Sequence, residues 1–182
     1  MLNDRQARFI ARLKPIAEAI DREFGIKPPV ILVQSAHESN WGESLLTIKA
    51  NNLFGMMAGR NWLAAGKPIA EFPTTEFSRL PPEKIRYWDR PGDVIKKQVT
   101  PNGLTMLLVN LAFRKYDSWT DSILDWSRMV TTSPRFAKAA IAARVGNVLV
   151  FAAEMQLAGY ATDPNYAGKL ARLSGAIIEG LA

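Results

Sequence analysis

The chain has 182 residues, of which 48% are hydrophobic and 22% charged, with 23 basic against 17 acidic side chains. That mix excludes a disordered chain, and the length fits one domain with a real core. There is no cysteine and one histidine, His37, so disulfide frames, thiol nucleophiles and three-histidine zinc sites are excluded. No run approaches the ~20 apolar residues that span a bilayer. The first twenty residues carry scattered charge and lack the apolar core of a secretion signal.

The net charge of +6 is uneven. Residues 77–116 hold 8 basic and 3 acidic side chains, so +5 of the +6 falls there. Such a stretch attracts a polyanion, or is simply a solvated excursion rich in Lys and Arg.

Residues 4–24 read as a helix, because Phe9, Leu13, Ile16, Ala17, Ile20 and Phe24 recur at three- and four-residue steps. Asn3 or Asp4 can cap its start and Gly25 its end, and Pro15 predicts a kink or a restart. Pro28-Pro29 opens a second helix, apolar nearly all round and therefore buried. Residues 40–57 read as a turn, a short helix and a loop. From about 58 to 116, glycines, prolines and β-prone runs such as EFPTTEF and KIRYW predict a small β-region.

Helices then resume. Ser118 caps one, with Asp121 completing the box, and Ser133-Pro134 starts another. Residues 147–158 form a third, closed by Gly159, and Asp163-Pro164 starts a last helix through Ile178. The predicted architecture is α+β, mainly α, in one domain. A helical lobe takes residues 1–57 and 117–182, and a β-lobe with a basic insertion takes 58–116.

Several chemistries fail at the motif level. The sequence has no G-x-S-x-G, H-E-x-x-H, P-loop or G-x-G-x-x-G. Carboxylate chemistry needs only two acids in different environments. Glu38 is the best candidate: it ends the most apolar helix, with Trp41 three residues on. A carboxyl against apolar walls is desolvated, so its pKa rises and it can hold a proton at neutral pH. The competing reading is a helix-end glutamate bonded to local backbone.

AHESNWGES followed by NNLFGMMA resembles the A-x-E-S-x-W-G-x-S…NNLFGIK signature of a glucosaminidase family, glycoside hydrolase family 73. That family includes flagellar peptidoglycan hydrolases and bacterial autolysins. PTTEF resembles its T-T-E-Y strand, AFRKYDSWTDSILD its F-R-x-Y segment, and SPRF its N-P-R-Y turn. QLAGYATDPNYAGKL resembles its A-G-Y-A-T-D-P-x-Y-A-x-K-L stretch. The five blocks run in order over about residues 28–175.

The resemblance implies a lysozyme-like helical core with a small β-lobe. It implies cleavage of the β-1,4 bond between N-acetylglucosamine and N-acetylmuramic acid in peptidoglycan, with no cofactor or metal. It makes Glu38 the general acid and maps the family's second carboxylate onto Glu76, as base or charge stabiliser. Glu71 is the competitor, but 71 and 76 differ by an odd number and face opposite sides of a regular strand, unless Pro73 breaks the alternation. The family's active-site tyrosine maps onto Tyr160. Trp41, Asn52, Phe54, Trp62 and Tyr116 are candidate substrate contacts, with Phe54 a cleft wall and Trp62 and Tyr116 stacking on sugars. Asn51 and Asn52 also read as turn-formers, Trp119 and Trp126 as core, and His37 takes no catalytic part.

Segment 77–116 is longer than the family's usual hairpin and is the candidate contact to an anionic wall or outer-membrane surface. With no leader or anchoring repeat visible, the expected setting is a monomeric bacteriophage endolysin acting on the wall after release, with a virion-associated hydrolase and one exported by the flagellar route as the alternatives. Competing classes are a muramidase or lytic transglycosylase, a non-catalytic wall-binding module and, with only the charge behind it, a nucleic-acid binder.

Overall fold

The computed structural model describes residues 2–85, 94–161, 163 and 165–180. They fall into two compact units, Met1–Met56 with Tyr116–Ala182, and Met57–Lys115. The first unit is helical. It contains α1 (Asp4–Phe24), α2 (Pro28–Glu38) and α3 (Leu45–Ala50), then α5 (Trp119–Thr132), α6 (Ala137–Arg144), α7 (Val148–Leu157) and α8 (Tyr166–Glu179). The second holds α4 (Arg60–Ala64) and strands β1 (Ile69–Ser78), β2 (Val94–Val99) and β3 (Thr105–Arg114).

Local chemistry sets most boundaries. Asn3 and Gln6 form a reciprocal capping box on α1, and Gly25 ends it in a left-handed conformation. The helix runs through Pro15 as one element, without the expected restart. α2 buries every residue from Val30 to Ala36 because α1, α7 and α8 pack around it. Ser118 caps α5 through the Asp121 amide, but its hydroxyl donates to the Asp121 carboxylate rather than completing a reciprocal box. α8 begins at Tyr166, later than expected: the Asp163 side chain accepts from the Asn165 amide in a local turn first.

The described strands form one antiparallel sheet in the order β1-β3-β2. Leu107, Val109 and Leu111 project from one face of β3 and cluster with Ile85. EFPTTEF lies within β1 as expected. In KIRYW, Lys84 ends a 3-10 turn, and residues 86–88 lie outside the described residues. The short helix α4 carries no buried residue and was not expected. Five residues are too few for a periodic pattern to show.

Candidate active site

Glu38 is the last residue of α2. Gln34 lies one helical turn earlier, and its amide Nε2 donates to Glu38 Oε1 at 2.9 Å. The Tyr166 hydroxyl, from the first turn of α8, donates to Gln34 Oε1 at 2.7 Å. Gln34 is fully buried and Tyr166 nearly so. Burial pushes the Glu38 carboxyl up to about 7, while hydrogen bonding with Tyr166 and Gln34 pulls the other way. Near neutral pH this carboxyl is therefore poised between its acid and its anion. Ser35 and Ser39 do not compete for it. Their hydroxyls donate to the Ile31 carbonyl at 2.7 Å and the Ser35 carbonyl at 2.6 Å.

The chain leaves Glu38 through a strained turn. Asn40, Trp41 and Gly42 all have positive φ, at 49°, 59° and 84°. A bulky residue such as Trp41 rarely adopts that conformation, which costs about 1–3 kcal/mol. The turn is held by Ser39 Oγ, which accepts from the Gly42 amide at 2.8 Å. The Trp41 amide donates to the Ala36 carbonyl at 2.9 Å. The Trp41 ring meets Phe9 edge-on at 5.8 Å and is only 9% exposed. This corrects two expectations. Trp41 is a core plug rather than a substrate contact, and the rings felt by Glu38 are Tyr160 and Tyr166, whose ionisation its charge opposes.

Tyr160 follows α7. Its hydroxyl donates to the Phe54 carbonyl at 3.3 Å, and its ring packs 6.0 Å from Phe136 and 6.1 Å from Tyr166. Burial, then the Glu38 charge, pushes its phenol well above the usual range, so it stays neutral and can act only as a hydrogen-bond group. Arg135, in the SPRF block, donates to the Ala158 and Gly159 carbonyls and so pins the backbone just before Tyr160. Below, Trp126 stacks on Phe54 at 4.6 Å with planes 13° apart. Its indole N–H is buried and forms no hydrogen bond of normal geometry among the described residues, although it acts on the Tyr160 phenol.

The other expected substrate contacts take different places. Asn52 is buried, its amide donating to the Met56 carbonyl and its oxygen accepting from the Met56 amide, both at 2.9 Å. It closes the NNLFGM loop and is structural. Phe54 is buried in the core, stacked on Trp126, rather than exposed as a cleft wall. Tyr116 is buried, donating to Asp125 Oδ2 at 2.6 Å, and presents no face for a sugar. Trp62, in the second unit, is half-buried and donates from Nε1 to the Pro68 carbonyl at 2.9 Å. The Lys67 ammonium and the Arg114 guanidinium lie 4.7 and 4.9 Å from its ring centroid, so a sugar would have to compete with both.

β1 separates the two candidate carboxylates as the odd spacing demands. Glu76 pairs with Leu107, on the face of the small apolar cluster, and is half-buried. Glu71 pairs with Ala112 on the opposite face, is exposed, and accepts from Asn110 Nδ2 at 3.4 Å. Pro73 keeps its place in the register opposite Asn110, so the alternation is unbroken.

Gln34 and Tyr166 had no role in the sequence reading. The signal for Gln34 was a lone amide one turn before Glu38 in an otherwise apolar helix. Tyr166 sat inside the Y-A-x-K-L match without a chemical reason to single it out. An apolar groove of about 430 Å³ between α1 and α8, lined by Leu2, Ile10 and Ala176, does not include Glu38. The site is defined by its side-chain chemistry rather than by that concavity.

The sequence profile of the glucosaminidase family, described as mannosyl-glycoprotein endo-beta-N-acetylglucosaminidase, matches residues 14–177. The chain belongs to the glucosaminidase family. Among its relatives, the peptidoglycan hydrolase FlgJ of Escherichia coli K12 is 30% identical over 169 residues, covering 91% of this chain and 44% of FlgJ. The exo-glucosaminidase LytG of Bacillus subtilis is 27% identical over 172 residues, covering 93% of this chain and 51% of LytG. The chain thus spans about half the length of these curated relatives, or less. A mutant peptidoglycan hydrolase from Sphingomonas sp. A1 shares the fold with a TM-score of 0.69 at 30% identity, covering 96% of this chain and 97% of that one. This glucosaminidase-family chain therefore has the mainly α, lysozyme-like fold with a small antiparallel sheet that its motifs implied.

Proposed function

We propose that the chain is a peptidoglycan hydrolase that cleaves the β-1,4 bond from N-acetylglucosamine to N-acetylmuramic acid, with Glu38 as general acid. The observation that carries this reading is the partly desolvated Glu38 carboxyl, held near neutrality at the family's motif position. Glu38 protonates the glycosidic oxygen, which leaves on the muramic residue as positive charge builds at C1 of the glucosamine. Water adds to C1 and returns a proton to the site. Tyr160, neutral at all working pH values, supplies a hydroxyl beside the acid for an N-acetyl group or a water. Glu76 is assigned the second carboxylate from the T-T-E match alone.

A digest of purified peptidoglycan, reduced with borohydride and read by mass spectrometry, tests the bond. Reduced N-acetylglucosamine ends are expected. Reduced muramic ends would make the enzyme a muramidase, and anhydromuramic ends a lytic transglycosylase. Absence of products would leave a wall-binding module. Proton NMR of the first anomer reads the role of Glu76: an α-anomer is expected if it serves as base, and a β-anomer would mean retention with help from the acetamido group.

We also propose that the second unit binds an anionic surface. Arg79, Lys84, Lys96 and Lys97 are exposed there, beside exposed Phe77, Leu80, Ile95 and Val99. Arg86 and Arg90 of the same segment lie outside the described residues. Substituting Arg79, Lys84 and Lys96 by Gln should weaken binding to anionic walls and flatten its salt dependence. Binding that is indifferent to salt in the wild type would remove the idea.

A further inference from the structure

We propose that Gln34 and Tyr166 are positioning residues that fix which oxygen of Glu38 delivers the proton. The inference rests on Glu38 being the acid. A glutamine amide has a donor end and an acceptor end. Tyr166 donates to the acceptor end, Gln34 Oε1, at 2.7 Å, and this turns the donor end, Nε2, onto Glu38 Oε1 at 2.9 Å. In the neutral acid the carbonyl oxygen is the better acceptor, so Oε1 keeps the Gln34 bond and the proton stays on Oε2. Had the amide faced the other way, its oxygen would hold the acid's own proton and tie up the group to be transferred.

Burial shields this arrangement from water. Gln34 is 0% and Tyr166 2% exposed, so water cannot replace either partner. Neither side chain reaches solvent, so neither is placed to touch substrate. They act on the acid alone. Both ends of the Gln34 amide are satisfied, which explains how an uncharged polar side chain is tolerated in the fully buried stretch from Val30 to Ala36.

Burial raises the Glu38 carboxyl most, and the hydrogen bonding of the pair is what opposes it. Tyr160 and Tyr166 stay neutral, because burial and the Glu38 charge both raise them. His37 meets the Tyr166 ring edge-on at 5.5 Å. Burial and then Lys169 lower its pKa, while Asp163 opposes. The buried residues that α1 and α7 contribute are all apolar.

The test is kcat and KM against pH on soluble peptidoglycan fragments, for wild type, Gln34→Leu, Tyr166→Phe and the double variant. Wild type should lose activity as pH rises through about 7, since the acid must hold its proton. Gln34→Leu removes a donor that favours the anion. Its alkaline limb should move to higher pH, with kcat down about 10- to 100-fold and KM little changed. Tyr166→Phe keeps the ring and should move the limb the same way. The double variant should be no worse than Gln34→Leu, because the two residues act as one unit. An unmoved limb in both single variants, or losses that simply add, would overturn the proposal. A carbon-13 NMR titration of Glu38 reads the same shift without substrate. It therefore separates failure of the positioning from failure of the hydrolase reading, and Tyr166→Phe carries the test should Gln34→Leu not fold.

Discussion

Glu38→Gln should lower hydrolysis of peptidoglycan by about 10²- to 10⁴-fold while leaving the fold intact, the range expected when one general acid is removed. The amide keeps the shape, and its oxygen can still accept from Gln34 Nε2, as Glu38 Oε1 does at 2.9 Å. What it lacks is a proton to give. Stability should move the other way, and the sign follows from linkage. The folded carboxyl sits near 7 against an ordinary 4.5, so between those values the native state binds more protons than the unfolded chain. Stability therefore falls as pH rises through that window. Glu38→Gln removes the penalty. At pH 8 the variant should be as stable as the wild type or more so, by up to about 3 kcal/mol, with the advantage fading toward pH 4. Turnover measured beside thermal melts at both pH values checks this. A variant as active as the wild type would sink the acid assignment, and one unstable at every pH would mean that Glu38 is structural.

Gly42→Ala should destabilise the helical unit by about 2–4 kcal/mol. Two costs add. Gly42 has φ +84°, a conformation that alanine resists, and a Cβ built there would lie 2.7 Å from Trp119 Cη2 and 3.2 Å from two carbons of Phe9. The indole cannot retreat easily, because the Arg12 guanidinium sits 3.6 Å from its centroid on one face. Gly55→Ala is the control. It has φ +65° but nothing within 4 Å of the added carbon, so it should cost only the backbone term, about 1 kcal/mol. Urea unfolding of the two variants separates strain from crowding. Equal losses would show that the contact with Trp119 is unimportant. The glycine after Trp41 is thus explained by its close packing on Trp119 and Phe9, with no contact to substrate required.

Much of the fold was legible because it depends on periodicity and caps. The apolar stripe of α1, the all-round apolar face of α2 and the two-residue alternation of β1 each have one physical solution. The parity of Glu71 and Glu76 held for the same reason. The desolvation of Glu38 was legible too, since a carboxylate at the end of so apolar a helix loses water almost wherever its neighbours fall. Its walls were not. Trp41 lies three residues away in sequence, yet three left-handed residues swing it into the core, and positive φ at a tryptophan cannot be read from spacing. Asn52, Phe54 and Tyr116 share a difficulty: amides and aromatic rings suit a sugar site and a satisfied interior equally well, and only tertiary burial decides. Tyr166 reaches Gln34 across 132 positions of sequence, a separation no local pattern reports.

The join between the two stretches of the helical unit has a consequence for how the chain can change. Asn51 ends α3, and its side-chain amide donates to the carbonyls of Tyr116 and Asp117 at 3.0 and 3.1 Å. The Tyr116 amide donates to the Ala50 carbonyl at 2.9 Å. These bonds clamp together the points where the chain departs for Met57–Lys115 and where it returns. Thermodynamically that whole excursion is a closed loop, and the entropy of closing a loop grows only with the logarithm of its length. Doubling the excursion would cost about 0.6 kcal/mol more. A chain built this way can lengthen, recharge or rebuild its sheet almost freely, while the Asn51 clamp leaves the helices that carry Glu38 in register.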